Sequence, residues 1–235
     1  IDWSRRNKTP GEGQGKKRRG LGMASQIWWG AGVPGTLADI KLHRDGSVEA
    51  ISGTQDIGCG TRTYMATVAA ETLGLEPQDI TVKIGDTVYP WAPISGGSLT
   101  APSVAPAVRD AALKAAEYLK EMAAKKLGVP PADIVLAEKR LFERDKPENG
   151  IAFRDLVKGL RRETVFHGER GPLPAGFAYN TFGAHFAEVE VDTETGRISV
   201  LKHVAVHEVG RVLNRLTAES QVVGGVTQGI STALF

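Results

Sequence analysis

The sequence predicts an α+β fold in which two related units, each a β-hairpin, a glycine-rich loop and a helix, build mixed sheets covered by helices. Three observations carry that expectation. Two stretches alternate apolar and polar residues about a turn, others repeat apolar residues at helical spacing, and the order of hairpin, loop and helix recurs along the chain. The first hairpin is "LADIKLHRDGSVEAI", whose Asp45-Gly46 pair accepts positive φ. The second is "FAEVEVDTETGRISVLKHVAV". Ala38 to Gly58 spans 20 positions and Ala187 to Gly210 spans 23, which supports an internal duplication.

Each element follows from its own pattern. Residues 1–20 are polar, glycine-bearing and basic, as expected of a linker or surface strap, and Lys16, Lys17, Arg18 and Arg19 read as a solvated flank. A first α+β unit is expected over 21–147 and a second, related one over 148–235, truncated at its C-terminal end. Met65, Val68, Ala69 and Leu73 form one face of a helix, and Gly74 is placed to end it in a left-handed cap. "DITVKIGD" reads as a strand and "TVYPWAPISGGSLTAPS" as a long loop. Val104, Val108, Ala112, Ala115, Leu119 and Met122 mark a long helix that stops by Gly128. Proline is at home in a first helical turn, so Pro106 sets the expected start near Ser103, with Ser103 as N-cap. "ADIVLAEKRLF" and "IAFRDLVKGL" read as short strand and helix, and "QVVGGVTQGISTALF" is helix-like.

Composition removes several classes of function. With 235 residues and 41% hydrophobic content the chain can bury a core. Lys+Arg 29 against Asp+Glu 27 leaves no basic surface suited to nucleic acid. A single cysteine allows no internal disulfide and no cysteine grid for zinc or iron-sulfur clusters. Apolar runs fall short of the roughly 20 residues that a membrane span needs, and the opening "IDWSRRNKTP" has no apolar signal segment. The chain therefore reads as soluble. It opens without Met and stops within an apolar helical pattern, so a fragment of a longer polypeptide is expected.

Three glycine-bearing stretches adjoin expected helices: Gly58-Cys59-Gly60 with Thr61 and Thr63, Gly96-Gly97-Ser98 with Thr100 and Ser103, and Gly224-Gly225 with Thr227 and Gln228. Helix N-termini offer unpaired N–H groups, and glycine lets a ligand approach the backbone. Singly, each stretch is more simply a connector. Together, with Ser, Thr, Gln or Cys in place of lysine, they suggest an extended polar ligand gripped by hydrogen bonds. No Walker lysine pattern is present and no GxGxxG follows a strand.

The segments "DGSVEAISGTQDIGCGTRTYMATVAAETLGL", "GDTVYPWAPISGGSLTAPSVAPAVRDAA" and "HFAEVEVDTETGRISVLKHVAVHEVGRVLN", with "QVVGGVTQGISTAL", resemble successive parts of the molybdenum-binding large subunit of the xanthine dehydrogenase and aldehyde oxidase family. The likeness runs in order from about Gly20 onward. It implies a molybdopterin cofactor, plain or as the cytosine dinucleotide, held by backbone amides and hydroxyls with no side chain bonded to the metal. By motif position Gly58, Cys59, Gly60 and Thr61, then Gly97, Ser98, Thr100 and Ser103, and finally Gln228, fall on cofactor contacts. Cys59 replaces a family glutamine, and Ala101 and Pro102 match residues beside the substrate. The implied reaction hydroxylates an aldehyde or an electron-poor N-heterocycle with oxygen from water and a glutamate as base. Iron-sulfur clusters and FAD are expected on other domains or subunits, together with the remaining part of the large subunit and a homodimer of the complex. The upstream glycine-phenylalanine loop and the catalytic glutamate are missing, the latter expected beyond Phe235, so no catalytic residue is expected here. Glu208 stands where the family usually has Asp.

Two rival readings remain at this level: a phosphate- or nucleotide-binding module without redox activity, and a structural fragment that docks to other subunits. His203 and His207 are four apart, but on a strand, where metal ligation is the weaker reading. His43, His167 and His185 read as ordinary, and Trp28, Trp29 and Trp91 as packing at a domain or subunit face. The expected compartment is the cytoplasm, with the periplasm as the alternative.

Overall fold

The structure, a computed structural model, describes residues 1–9 and 12–235; Pro10 and Gly11, inside the expected strap, lie outside the described residues. In chain order its strands are β1 (Lys17–Trp29), β2 (Leu37–Leu42), β3 (Val48–Ser52), β4 (Ile80–Ile84), β5 (Ile134–Ala137), β6 (Arg140–Glu143), β7 (Lys146–Ala152), β8 (Thr164–Glu169), β9 (Asn180–Asp192) and β10 (Ile198–Glu208). The helices are α1 (Thr61–Leu73), α2 (Thr100–Leu127), α3 (Phe153–Val157) and α4 (Arg215–Leu234). They form two compact units, Ala31–Phe177 and the pair of segments Ile1–Gly30 and Ala178–Phe235. This partition departs from the linear division at 147/148. Strand β1 pairs with β9 over its whole length, which ties the start of the chain to its last third. Residues 17–20 of the expected strap are thereby strand, and Lys17 and Arg19 ion-pair with Glu190.

In the Ala31–Phe177 unit one sheet runs β4-β3-β2-β8. Its β2–β3 hairpin is antiparallel and turns at Asp45-Gly46, as expected; Gly46 has φ 90 and the Asp45 carboxylate accepts the Ser47 N–H at 2.8 Å. The β3–β4 pair is parallel because α1 supplies the crossover between them. Ala38, Ile40, Leu42, Val48 and Ala50 are buried, and so are Met65, Ala69 and Leu73 of α1 and Val104, Val108, Ala112 and Leu119 of α2. Alanines keep α2 thin where it crosses β8. A Cβ on Gly168 would stand 2.2 Å from the Ala107 carbonyl oxygen.

Helix α1 ends at Gly74 in the left-handed conformation, φ 62, as the sequence predicts. A second sheet, β5-β6-β7, closes on that cap: Lys139 N–H donates to the Gly74 carbonyl at 2.8 Å. Helix α2 begins at Thr100 rather than at Ser103, with Leu99 as N-cap. Pro106 therefore lies in its second turn. A proline there has no N–H for the carbonyl four residues back, so the Pro102 oxygen loses its intrahelical partner. That oxygen is met from outside the helix by Arg170 Nε at 3.4 Å.

The other unit is an antiparallel sheet in the order β1-β9-β10, followed by α4. Its β9–β10 hairpin is the second one expected from the sequence. Asp192 caps the turn by accepting N–H groups of Glu194 and Thr195, and Gly196 has φ 73. Among this unit's described residues Gly183 alone is buried. Helix α4 starts after Asn214, whose side chain accepts the Thr217 N–H at 3.1 Å, so Gly224 and Gly225 lie inside the helix. The third glycine stretch is thus not a loop. An N-cap asparagine ahead of an apolar run was the signal for the earlier start.

Candidate functional site

The loop before α1 folds around one carboxylate. Asp56 Oδ1 accepts the Gly58 N–H at 3.0 Å and the Gly60 N–H at 3.3 Å, and Oδ2 accepts the Arg62 N–H at 3.2 Å. Burial opposes ionisation of Asp56, but those three N–H groups and the Arg62 charge outweigh it and hold the carboxyl below its ordinary value. Gly58 at φ 99 and Gly60 at φ 79 supply the left-handed backbone that lets two amides converge on one acid. The Thr61 hydroxyl is buried and donates to the Gln55 carbonyl at 3.1 Å, with Cys59 Sγ 3.4 Å away.

The loop before α2 is built differently. Gly97 and Ser98 both take left-handed φ values, 60 and 63, and Ser98 does so without being glycine. No side chain caps α2 and its first turn holds no acidic residue. Thr100 is 7% exposed and its hydroxyl makes no hydrogen bond among the described residues. Ser103 is fully buried; its hydroxyl donates to the Leu99 carbonyl at 2.6 Å and accepts the Val33 N–H at 2.9 Å. The two loops are tied to each other. Ser95 N–H donates to Gln55 Oε1 at 3.2 Å, the Ser95 hydroxyl to the Gln55 carbonyl at 3.2 Å, and the Gly53 N–H to the Pro90 carbonyl at 2.7 Å.

Gly58, Cys59, Gly60, Thr61, Gly97, Ser98, Thr100, Ala101, Pro102 and Ser103 are therefore carried by two bonded loops and the helix starts that follow them, within one unit. Gln228 belongs to the other unit, exposed midway along α4. Sequence reasoning missed Asp56, although an Asp two residues before a glycine is a common turn-forming signal. It also missed Arg170 and Val33, which reach the site from far along the chain. Near the α1 loop the Thr54 hydroxyl is buried and unpartnered, and burial pushes the Tyr64 phenol up against the opposing effect of the nearby Thr61 hydroxyl.

A second polar cluster lies on the β1-β9-β10 sheet. His185 Nδ1 stands 3.1 Å from His203 Nε2, and the His185 ring meets His207 edge-on with centroids 4.8 Å apart. Small cross-strand partners make room: His185 faces Ala24 and Ala205, His203 faces Ala187, and His207 faces Gly183. Burial, then the neighbouring His207 and His203, push the His185 pKa down. Among the described residues no group of three or more His, Cys, Asp or Glu side chains is placed to hold a metal ion. None of their helices is long and apolar enough to cross a membrane.

The chain is 34% identical over 244 aligned positions to the aldehyde oxidoreductase molybdenum-binding subunit PaoC of Escherichia coli, all of the chain matching 31% of that protein. A xanthine dehydrogenase molybdenum-binding subunit of the same species is 32% identical and is matched over 33% of its length. The chain thus spans about a third of the length of these relatives. Among solved structures, quinoline 2-oxidoreductase from Pseudomonas putida 86 shares the fold with a TM-score of 0.82 at 22% identity, over 92% of this chain and 30% of that one. The family described as molybdopterin cofactor-binding domain matches residues 1–235, and the chain belongs to it.

Proposed function

We propose that this chain is part of the molybdenum-cofactor-binding subunit of a molybdenum hydroxylase that oxidises aldehydes or N-heterocycles with water as the oxygen source. The observation that carries the reading is the start of α2: an uncapped helix N-terminus where Thr100, 7% exposed, keeps an unbonded hydroxyl, hydrogen-bonded through its loop to the glycine turn before α1. The donor set suits molybdopterin. It consists of amides and hydroxyls, Gly58 has nothing within 4 Å of where a Cβ would stand, and the buried Thr54 hydroxyl lacks a partner.

In this reading Gly58, Cys59 and Gly60 let the cofactor approach the backbone, while Thr61 braces the turn from within. Gly97 shapes the second turn, Ser98 and Thr100 present donors, and Ser103 holds the first turn of α2 against Val33. Ala101 and Pro102 wall the substrate pocket. Gln228 is a separate assignment that rests on the "TQG" motif. When bound, the cofactor supplies the redox-active molybdenum that takes up the substrate's two electrons. The base comes from outside this chain, which by itself does not turn over. The cytosine dinucleotide form, iron-sulfur and FAD modules, the rest of the large subunit, a homodimeric complex and a cytoplasmic location complete the proposal.

Metal analysis and pterin fluorescence of the full-length complex test it. Stoichiometric molybdenum and pterin, with oxygen-18 from labelled water entering the carboxylic acid formed from an aldehyde substrate, are the expected results. A metal-free protein that still binds nucleotides would instead establish a ligand-binding module. A protein that binds neither yet still assembles with its partners would be a docking subunit.

A further inference from the structure

We infer that Arg170 is a positioning residue for the substrate wall: it takes the Pro102 carbonyl that Pro106 leaves unpaired and so fixes the first turn of α2. The inference rests on the reading of Ala101 and Pro102 given above. Its structural part stands on four observations. Pro106, exposed in the second turn of α2, has no N–H to offer the carbonyl four residues earlier. Arg170 Nε lies 3.4 Å from that oxygen. The backbone of Gly32 presses on the same carbonyl so closely that a Cβ would stand 2.1 Å from it. Arg170 itself is locked in place: its N–H donates to the Thr36 carbonyl at 2.8 Å, its carbonyl accepts the Gly35 N–H at 2.9 Å, and Nη1 donates to the Gly171 carbonyl at 2.6 Å.

The chemistry suits a guanidinium. Its planar fork can serve two carbonyls in fixed directions, which one flexible ammonium does not reproduce. Among the described residues Arg170 makes no ion pair, so both of its observed side-chain partners are backbone carbonyls. A part-buried carbonyl without a donor is costly, and here it sits on Pro102, beside Ala101, at the point where the pocket wall must be rigid. Rigidity at a substrate wall shows in substrate binding more than in the chemical step. Arg170 is assigned no contact with substrate or cofactor; it acts through Pro102.

The test uses the full-length holoenzyme and a compensating pair of substitutions. Arg170→Met should raise amide hydrogen exchange across residues 99–105 roughly fivefold relative to β2 and β3. Pro106→Ala gives Pro102 a backbone donor, so Arg170→Met made in that background should leave exchange near the wild-type level. Arg170→Lys, which keeps one donor, should fall between. With benzaldehyde as substrate, Arg170→Met should raise KM severalfold with kcat within about twofold of wild type. Exchange that is unchanged, that rises equally throughout the unit, or that Pro106→Ala fails to rescue overturns the clamp. A KM that does not move, or that moves only with lost molybdenum, overturns the wall assignment. Wild-type protein without molybdenum would sink the functional reading instead, while the exchange experiment would still decide the clamp.

Discussion

Helices α1 and α2 both begin at glycine turns in the same unit, yet they treat their first amides in opposite ways. At α1 the chain supplies its own anion: Asp56 takes the N–H groups of Gly58, Gly60 and Arg62 and offsets the positive end of the helix. At α2 there is no capping side chain and no acid in the first turn, while Thr100 is left with an unbonded hydroxyl. A glycine turn is therefore a poor guide to an anion site until its own carboxylates have been located. The α1 turn is preorganised by an internal charge, and the α2 turn is held by packing and carbonyl contacts from behind.

Substitutions that separate these two designs should differ in size. Gly32→Ala should do most harm, because its Cβ would meet the Pro102 carbonyl oxygen at 2.1 Å and the Ser103 nitrogen at 2.7 Å, both backbone atoms. A loss of about 3 kcal/mol in urea unfolding is expected. Ser103→Ala comes next, at about 2 kcal/mol, since it strands the part-buried Val33 N–H beside the buried start of α2. That loss should appear in protein freed of cofactor as well. If Ser103→Ala is harmless without cofactor and harmful only with it, the hydroxyl serves the ligand and not the fold.

Asp56→Ala should cost about 1 kcal/mol, the scale of a lost helix cap at an exposed site. Its pH dependence has a definite sign. The folded pKa lies below the unfolded value of about 3.9, so the carboxylate's contribution is complete above that pH and is lost as pH falls through the folded pKa. Melting curves of wild type and Asp56→Ala should differ at pH 7 and converge in acid; a gap that persists in acid would mean that Asp56 acts by packing. Cys59→Gln should have the smallest effect, within about 0.5 kcal/mol, because the side chain is only partly buried. It should leave cofactor content equal or higher in the complete enzyme. Loss of activity at full molybdenum occupancy would reveal a role for the thiol.

Local patterns were legible in the sequence. The Asp45-Gly46 hairpin, α1 with its Gly74 cap, the β9–β10 hairpin and the end of α2 at Gly128 each depend on residues within one or two turns of each other. What escaped depends on distant partners. The start of α2 was set too late because a proline in a second turn looks forbidden until Arg170, 68 residues beyond Pro102, meets the Pro102 carbonyl that Pro106 frees. The compact units depart from a linear division because β1 finds its partner far along the chain. His203 and His207 looked too far apart on a strand to matter together; His185 fills the gap from the neighbouring strand, and only the cross-strand register shows it. Asp56 was readable and was passed over.

The pairing of β1 with β9 also sets a schedule for synthesis. About 150 residues separate Trp29 from Asn180, so a ribosome adding 5–20 residues per second leaves β1 without its partner for roughly 8 to 30 seconds. Throughout that interval the nascent chain carries Met23, Ile27, Trp28 and Trp29 on an unpaired strand, side chains that remain half exposed even after pairing. The intervening Ala31–Phe177 unit has its own core and can fold meanwhile. A chaperone that holds the β1 segment until translation passes Asp192 would suit this order of events, and slowing translation within β9 should increase aggregation more than slowing it within α2.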